Sequence, residues 1–515
     1  MRQDTILQAH ARRSPEKTAV VIGGRRVTYG ELYRQARALA LGMRQHGAAP
    51  GQRVLVYLPN GIEFVQAVFA AFAVGAVVVP VNTRMTAQEL AYFIDDSAPV
   101  LVLFHADQAP ALAPLRQRHD GIGWVAVGGP VSGCLDWADL NRANDETLPE
   151  VPLDAEACTI MYTSGTTGRP KGALITHANL IVQHCFLNAI EWGLDRDDRF
   201  LVTTPLAHRT GLARMLNALL LGATLIVMDR FDPAGAIDAI ERERVTALGM
   251  VPTICRMLMP LLEEQAERCA SLRHLIVTGE AFPVDLKRRL IELLPAIRLH
   301  SFFAMTEVGS VTSLEHDEQF SHPGSVGRPT PGVEVKLVNA QGAQVSVGEV
   351  GEMLVRSGTP GRFTTMQGYF NRPQESAAAL TDGWLHTGDM ARFDTDGYLY
   401  IVDRKKDMVL SGGFNIYTKE VEQALVEHPA VADAAVIGIP DPIFGEAVVA
   451  FVETAPGLTV TETELIEHTR QRLAGYKKPK HLHFVDALPR TPLGKVLKPV
   501  LRERALAHTD QVRPA

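Results

Sequence analysis

The feature that most restricts the fold of this chain is a repeated alternation between two periodicities. From Tyr29 to Met43 apolar side chains recur at helical spacing, whereas Arg53 to Leu58 and Val77 to Val81 are short β-branched runs bounded by Gly and Pro. The alternation returns as strand Ala223 to Met228, helix Pro233 to Glu243, and strands Ala247 to Val251 and His274 to Thr278. Such a pattern predicts parallel sheets covered by helices, so the main body is expected to be α/β. The most apolar run, Val65 to Val81, contains Gln66 and Gly75 and ends near Pro80. It falls short of the roughly 20 residues that span a bilayer and reads as a core helix entering a buried strand.

At 515 residues the chain exceeds what one hydrophobic core usually supports, which predicts two or more domains. With 46 % hydrophobic and 21 % charged residues there is apolar surface enough to bury, and a disordered chain is excluded. After about residue 325 the texture changes. Gly327, Gly332, Gly342, Gly348 and Gly351 punctuate short strands such as Glu334 to Val338, the pattern of a small, barrel-like antiparallel subdomain. The charged run Asp403, Arg404, Lys405, Lys406, Asp407 precedes helix Lys419 to Glu427 and strand Ala434 to Ile439, which read as a small α+β domain. The expected organisation is a large N-terminal domain over 1–402, a hinge over 403–407 and a small mobile C-terminal domain over 408–515, with no internal repeat.

The net charge of −7 provides no basic field for nucleic acid or an anionic membrane, so anionic ligands must be held locally. Cys134, Cys158, Cys185, Cys255 and Cys269 show neither paired nor metal-ligand spacing and read as reduced, buried thiols. The N-terminal MRQDTILQAHARRSPEK lacks the apolar stretch of a secretory signal, and a cytoplasmic location without integral membrane association is expected.

The chemistry is concentrated first in Tyr162-Thr163-Ser164-Gly165-Thr166-Thr167-Gly168-Arg169-Pro170-Lys171-Gly172, which follows the apolar Cys158 to Met161. Glycines let backbone N–H groups converge on an anion, hydroxyls donate further hydrogen bonds, and Lys171 adds a mobile positive charge, a combination suited to polyphosphate. It is not a Walker A loop, because Pro170 precedes the lysine and no Ser or Thr follows it. The segment resembles the phosphate-binding signature of the adenylate-forming superfamily: acyl- and aryl-CoA synthetases, luciferases and nonribosomal adenylation domains. The resemblance spans essentially the whole chain and is greatest to the fatty-acid and aryl-acid CoA ligases.

Further motifs follow in the family's order. Pro205-Leu206-Ala207-His208-Arg209-Thr210-Gly211 is similar to Pro-Leu-x-His-x-x-Gly, which implies that His208 lies beside the acid pocket. Gly279-Glu280-Ala281 occupies the place where the family's backbone meets adenine. Phe303-Ala304-Met305-Thr306-Glu307 resembles Tyr-Gly-x-Thr-Glu, which implies that Phe303 stacks on adenine, Thr306 bonds the α-phosphate and Glu307 holds Mg²⁺. Here Phe replaces Tyr and Ala304 replaces Gly, leaving the tightness of that wall open. Trp384-Leu385-His386-Thr387-Gly388-Asp389 resembles the ribose motif, with Asp389 on the sugar hydroxyls and Arg404 its partner.

The resemblance also places the pivot of a rotating C-terminal domain at Lys406 and a pantetheine tunnel at Gly412 and Gly413, within Ser411 to Glu422. Thr418, where the family commonly has Pro, is expected to cap the following helix. Thr491-Pro492-Leu493-Gly494-Lys495 presents a lysine that would neutralise charge as the carboxylate attacks the α-phosphorus. The implied activity is ATP- and Mg²⁺-dependent, AMP-forming ligation of a carboxylic acid to coenzyme A through an acyl-adenylate. The alternatives are an adenylation enzyme that passes the acyl group to a carrier protein or other acceptor, a luciferase-type oxygenase, and a non-catalytic nucleotide-binding regulator. An amino-acid adenylation domain usually places an Asp near the His208 motif, and residues 205–211 contain none. The acid itself is not legible. Expected pocket walls are His208, Gly211, 212–216, Gly279 and Ala304; Arg209 and Arg214 lie near this region and could pair a second carboxylate of the substrate, but read first as solvated or helix-supporting. A homodimer is left open.

Overall fold

Local signals start the helices where the pattern asks for them. Helix Tyr29–Gln45 opens on a reciprocal cap, with the Thr28 hydroxyl accepting from the Glu31 amide and the Glu31 carboxylate from the Thr28 amide. It packs against helix Ile62–Ala73, whose residues from Phe64 to Phe72 are all buried, as befits a helix apolar on every side. That helix leads into strand Val77–Pro80, whose four residues are all buried, so the long apolar run is a core helix and strand as expected.

The computed structural model describes residues 1–141, 147–148, 150–151, 156–163, 170–279, 282–412, 414–490 and 496–511. They fall into two compact units, Met1–Val335 with Val355–Leu385, and Lys336–Leu354 with His386–Ala515.

The first unit is built on two large sheets. One has the order Arg328–Pro329, Gly309–Leu314, Arg298–Met305, His274–Val277, Ala247–Met250, Arg199–Val202, Thr224–Val227, Thr18–Ile22, Arg25–Thr28. Its six central strands are parallel and its edges antiparallel. The other runs Gly368–Tyr369, Lys171–Thr176, Ala157–Thr163, Val77–Pro80, Arg53–Tyr57, Leu101–His105, Gly123–Val127, Leu135–Asp136. It is parallel from Ala157–Thr163 onward, and Lys171–Thr176 and Gly368–Tyr369 add antiparallel strands at one edge. Helices cover the apolar faces, for example Pro233–Glu243, Pro252–Gln265 and Val284–Leu293 over a core that includes Leu201, Leu248, Leu275 and Leu299.

Glu334–Val338, Gly351–Arg356, Trp384–Phe393, Leu380–Thr381 and Leu399–Arg404 make a separate five-stranded sheet, the barrel-like element expected after residue 325. In the second unit a further sheet orders Phe414–Ile416, Val409–Ser411, Gly445–Thr454 and Val431–Asp441, with His481–Phe484 parallel to Gly445–Thr454. Helices Thr418–Val426 and Glu462–Arg472 bury Val421, Leu425 and Leu465 against it, giving the α+β C-terminal fold.

Three expectations need correction. Strands expected to end at Leu58, Val81, Met228, Val251 and Thr278 end a residue earlier, because the chain begins to turn at the carboxyl edge of each sheet. Val81 and Thr278 still donate to Val56 and Met250, at 3.0 and 3.3 Å. Thr418 is not the cap but the first helical residue; the buried Asp403 carboxylate accepts from both its amide and its hydroxyl, so a distant acid does the capping. Finally, Cys134 and Cys185 are only half-buried, although all five thiols are unpaired.

Candidate functional site

Antiparallel strands flank the hydroxyl-rich segment. Strands Ala157–Thr163 and Lys171–Thr176 pair with Thr163 opposite Lys171, and Ser164, Gly165, Thr166, Thr167 and Gly168 lie outside the described residues. The strand pair is clamped at its Thr163 and Lys171 end. Tyr162 donates its phenol proton to Asp96 at 2.7 Å, Arg372 donates to the other oxygen of Asp96 at 2.6 Å, and Tyr92 donates to the Pro170 carbonyl at 2.6 Å. The Lys171 ammonium pairs with Glu375 and lies 5.3 Å from the centre of the Tyr369 ring.

Tyr369 connects this lysine to the acid expected to hold the metal. Strand Gly368–Tyr369 sets Tyr369 opposite Ala173, and its phenol donates to Glu307 Oε1 at 3.0 Å. The Met366 amide donates to the Glu307 carbonyl at 2.7 Å, fixing the backbone of the same turn. Burial and the adjacent Glu307 carboxylate both raise the Tyr369 pKa, so the phenol stays a proton donor. The structure thus brings Lys171, Tyr369, Glu307 and Glu375 into one cluster. Sequence reasoning missed Tyr369 and Glu375; their signal was Gly368-Tyr369 followed by Pro373 in the first turn of a helix.

The segments expected to meet the nucleotide lie at the carboxyl ends of parallel strands, where open α/β sheets bind ligands. Gly279, at φ +99°, turns the chain left-handed two residues beyond strand His274–Val277; Glu280 and Ala281 lie outside the described residues. Phe303, Ala304 and Met305 end strand Arg298–Met305, and Thr306 and Glu307 form the turn into Gly309–Leu314. The register shifts between Phe303 and Ala304, an irregularity that re-aims the side chains beyond it. Phe303 is half-buried and Ala304 exposed, so the alanine methyl meets no crowded wall in the chain itself.

His208 caps helix Arg209–Leu221. Its Nδ1 accepts from the Thr210 amide and lies 2.7 Å from the Thr210 hydroxyl, which leaves the ring proton on Nε2. Burial lowers its pKa to about 4, so the imidazole is neutral at pH 7 and can donate from Nε2 but is a poor base. Gly211 allows the helix to start so close to Pro205, since a Cβ there would stand 2.1 Å from the Pro205 carbonyl oxygen. Next to this turn is a cavity lined by Thr204, Thr210, Arg214, Gly249, Met250, Ile276, Thr278 and Phe302. Of the walls expected from sequence only Arg214 lines it, and Arg214 is buried at 5 % exposure rather than solvated. Thr278 and Phe302 directly precede Gly279 and Phe303, so the cavity adjoins the segments expected to meet the nucleotide.

In the second unit Asp389 and Arg404 are cross-strand neighbours joined by a 2.7 Å ion pair, with Asp389 buried and its amide held by Thr387 Oγ1 at 3.0 Å. Lys406 is exposed in the turn after Arg404, which the Asp407 and Met408 amides close by donating to the Arg404 carbonyl. Gly412 adopts φ +58° and donates its amide to the Phe444 carbonyl at 2.8 Å. Gly413 and Lys495 lie outside the described residues. Among the described residues no helix is long and apolar enough to cross a membrane.

Residues 7–370 match the family model for the AMP-binding enzyme, and residues 420–495 match that for the AMP-binding enzyme C-terminal domain. The chain belongs to the AMP-binding enzyme family. Among its relatives is a feruloyl-CoA synthase from Amycolatopsis sp, 40 % identical over 500 residues that cover 96 % of this chain and 97 % of the relative. A solved o-succinylbenzoate CoA synthetase from Bacillus subtilis, in complex with an acyl-adenylate intermediate, superposes with a TM-score of 0.85 at 30 % identity, over 96 % of this chain and 97 % of that one. The same synthetase with ATP and magnesium ion superposes with a TM-score of 0.84 at 30 % identity, over 97 % and 98 % of the two chains. This AMP-binding enzyme shares their mixed sheets flanked by helices and separate C-terminal fold.

Proposed function

We propose that this AMP-binding enzyme is an ATP-dependent, AMP-forming carboxylic acid:coenzyme A ligase. The observation that carries the reading is the cluster of Lys171, Tyr369 and Glu307, which joins the strand after the hydroxyl-rich segment to the turn after Phe303. Relatives named as CoA synthetases, one solved with an acyl-adenylate and with ATP and magnesium, support the same chemistry.

In the first half-reaction a carboxylate oxygen attacks the α-phosphorus, the bond to the β-phosphate bridging oxygen breaks, and acyl-adenylate and pyrophosphate form. Thr163, Ser164, Gly165, Thr166, Thr167, Gly168 and Lys171 are assigned to the polyphosphate, Gly279, Glu280, Ala281, Phe303, Ala304 and Met305 to adenine, Asp389 and Arg404 to ribose, and Thr306 to the α-phosphate. Glu307 would hold Mg²⁺ as a hard oxygen ligand, and the ion would screen the charge of the polyphosphate. Lys495 stabilises the charge growing at the α-phosphate, and neutral His208 donates a hydrogen bond beside the acid. In the second half-reaction the C-terminal domain pivots at Lys406, Gly412 and Gly413 admit the pantetheine, and the thiol displaces AMP from the acyl carbonyl as its proton leaves. Lys495→Ala is expected to abolish carboxylate-dependent exchange of pyrophosphate into ATP while still converting preformed acyl-adenylate to thioester. Equal loss of both activities would refute the assignment.

A further inference from the structure

Arg214 carries a charge that no described residue neutralises. It is 5 % exposed, and among the described residues it makes no ion pair or hydrogen bond; its Nη1 is sealed from solvent without a partner. Its neighbours are two aromatic rings, Trp192 with its centre at 4.9 Å and Phe302 at 5.8 Å. Cation–π contacts return only part of the free energy that burying a cation costs. Burial lowers its pKa to about 9, which still leaves it charged at neutral pH.

The fold makes room for this side chain. Strand Ala247–Met250 is buried throughout and has a glycine at 249, where a Cβ would stand 2.6 Å from Arg214 Cδ and 2.7 Å from Cγ. The aliphatic stem therefore lies across Gly249, and the guanidinium lines the cavity with the threonines Thr204, Thr210 and Thr278. One turn of chain away, Arg209 adds a second cation. Its Nη1 donates to His184 Nε2 at 3.1 Å, which requires His184 to be neutral, and its Nε is buried without a partner. Burial does hold His184 neutral, and neither arginine has a carboxylate neighbour among the described residues. Arg214 on the cavity wall and Arg209 near it have no anion beside them among the described residues.

We propose that the cavity receives a second carboxylate of the acid substrate, distal to the one that is adenylated, with Arg214 as its counter-ion and Arg209 beside it. This rests on the ligase reading above and makes the preferred substrates dicarboxylic acids. A diacid satisfies the buried guanidinium, whereas a neutral group of the same size leaves it unpaired, the situation in which polar sites discriminate most.

The test compares adipic, suberic, terephthalic and homophthalic acids with their monomethyl esters in pyrophosphate exchange by the full-length protein. At least one diacid is expected to exceed its half-ester by about 100-fold in kcat/KM. Arg214→Met is expected to invert that ratio, and this readout separates anion binding from a purely packing role, which would lower both substrates equally. Should the variant not fold, the wild-type ratio decides alone. Exchange with half-esters or simple monoacids but no preference for any diacid overturns this proposal and leaves the ligase reading standing. Absence of exchange with every acid overturns both.

Discussion

Replacing Gly211 with alanine tests how the acid pocket is held. The new methyl carbon would lie 2.1 Å from the Pro205 carbonyl oxygen, 2.6 Å from its carbon and 2.9 Å from Leu206 Cα. A relaxed carbon–oxygen contact needs about 3.3 Å, so the first turn of helix Arg209–Leu221 and the Pro205 segment must separate by about 1 Å. The Pro205 side is anchored. The Leu206 amide donates to Asn60 Oδ1 at 2.7 Å, and Asn60 Nδ2 donates to the Met228 carbonyl at 2.9 Å. The helix therefore moves, taking Thr210 and Arg214 with it. Overpacking of this kind costs about 1–3 kcal/mol of stability, and a 1 Å misplacement of reacting groups costs on the order of 100-fold in rate. Measured by pyrophosphate exchange, kcat/KM for the acid should fall by about 100-fold while KM for ATP changes little, with a lower melting temperature. A variant with wild-type acid kinetics and wild-type melting would show that the close approach of Gly211 to Pro205 positions nothing.

Glu375 occupies the Lys171 ammonium that the proposed function assigns to phosphate, so Glu375→Gln should lower KM for ATP several-fold and Lys171→Ala should raise it; steady-state kinetics in which Glu375→Gln raises KM would contradict the competition. Stability should depend on three buried neutral histidines. Burial holds His177 at about 3 and His208 and His274 at about 4 in the folded chain, against about 6.5 unfolded. The unfolded state binds protons first as pH falls, so stability present above pH 6.5 is lost on acidification toward pH 4, on the order of a few kcal/mol per histidine. Chemical denaturation across that range should show falling midpoints, and a flat profile would contradict the sign.

The sequence disclosed most where local chemistry and burial agree. Helix Pro233–Glu243 and strand Glu334–Val338 were legible to the residue; in the helix Asp232 caps and Pro233 occupies the first turn. Strand ends were less legible, because residues such as Thr278 keep one ladder hydrogen bond while already turning into the site. Arg214 was read first as solvated or helix-supporting because an arginine on a helix is ordinarily at the surface, and only the solvated reading fails, since it is buried. Here Gly211 to Leu220 are all buried, and the vacancy at Gly249 that accommodates Arg214 belongs to another strand. Tyr369 and Glu375 escaped for a similar reason, since only the pairing of Gly368–Tyr369 with Lys171–Thr176 brings them to Lys171 and Glu307. Thr418 shows the same limit at a helix end, where Asp403 supplies a cap that no local pattern encodes.

The central claim is that this chain activates an acid by transferring AMP to it. The most direct measurement is the nucleotide product when purified full-length protein is given ATP, Mg²⁺, coenzyme A and the acid panel. AMP, pyrophosphate and acyl thioester in equal amounts, each requiring the acid, are the predicted result. Release of ADP, or AMP formation that ignores the acid, would contradict it.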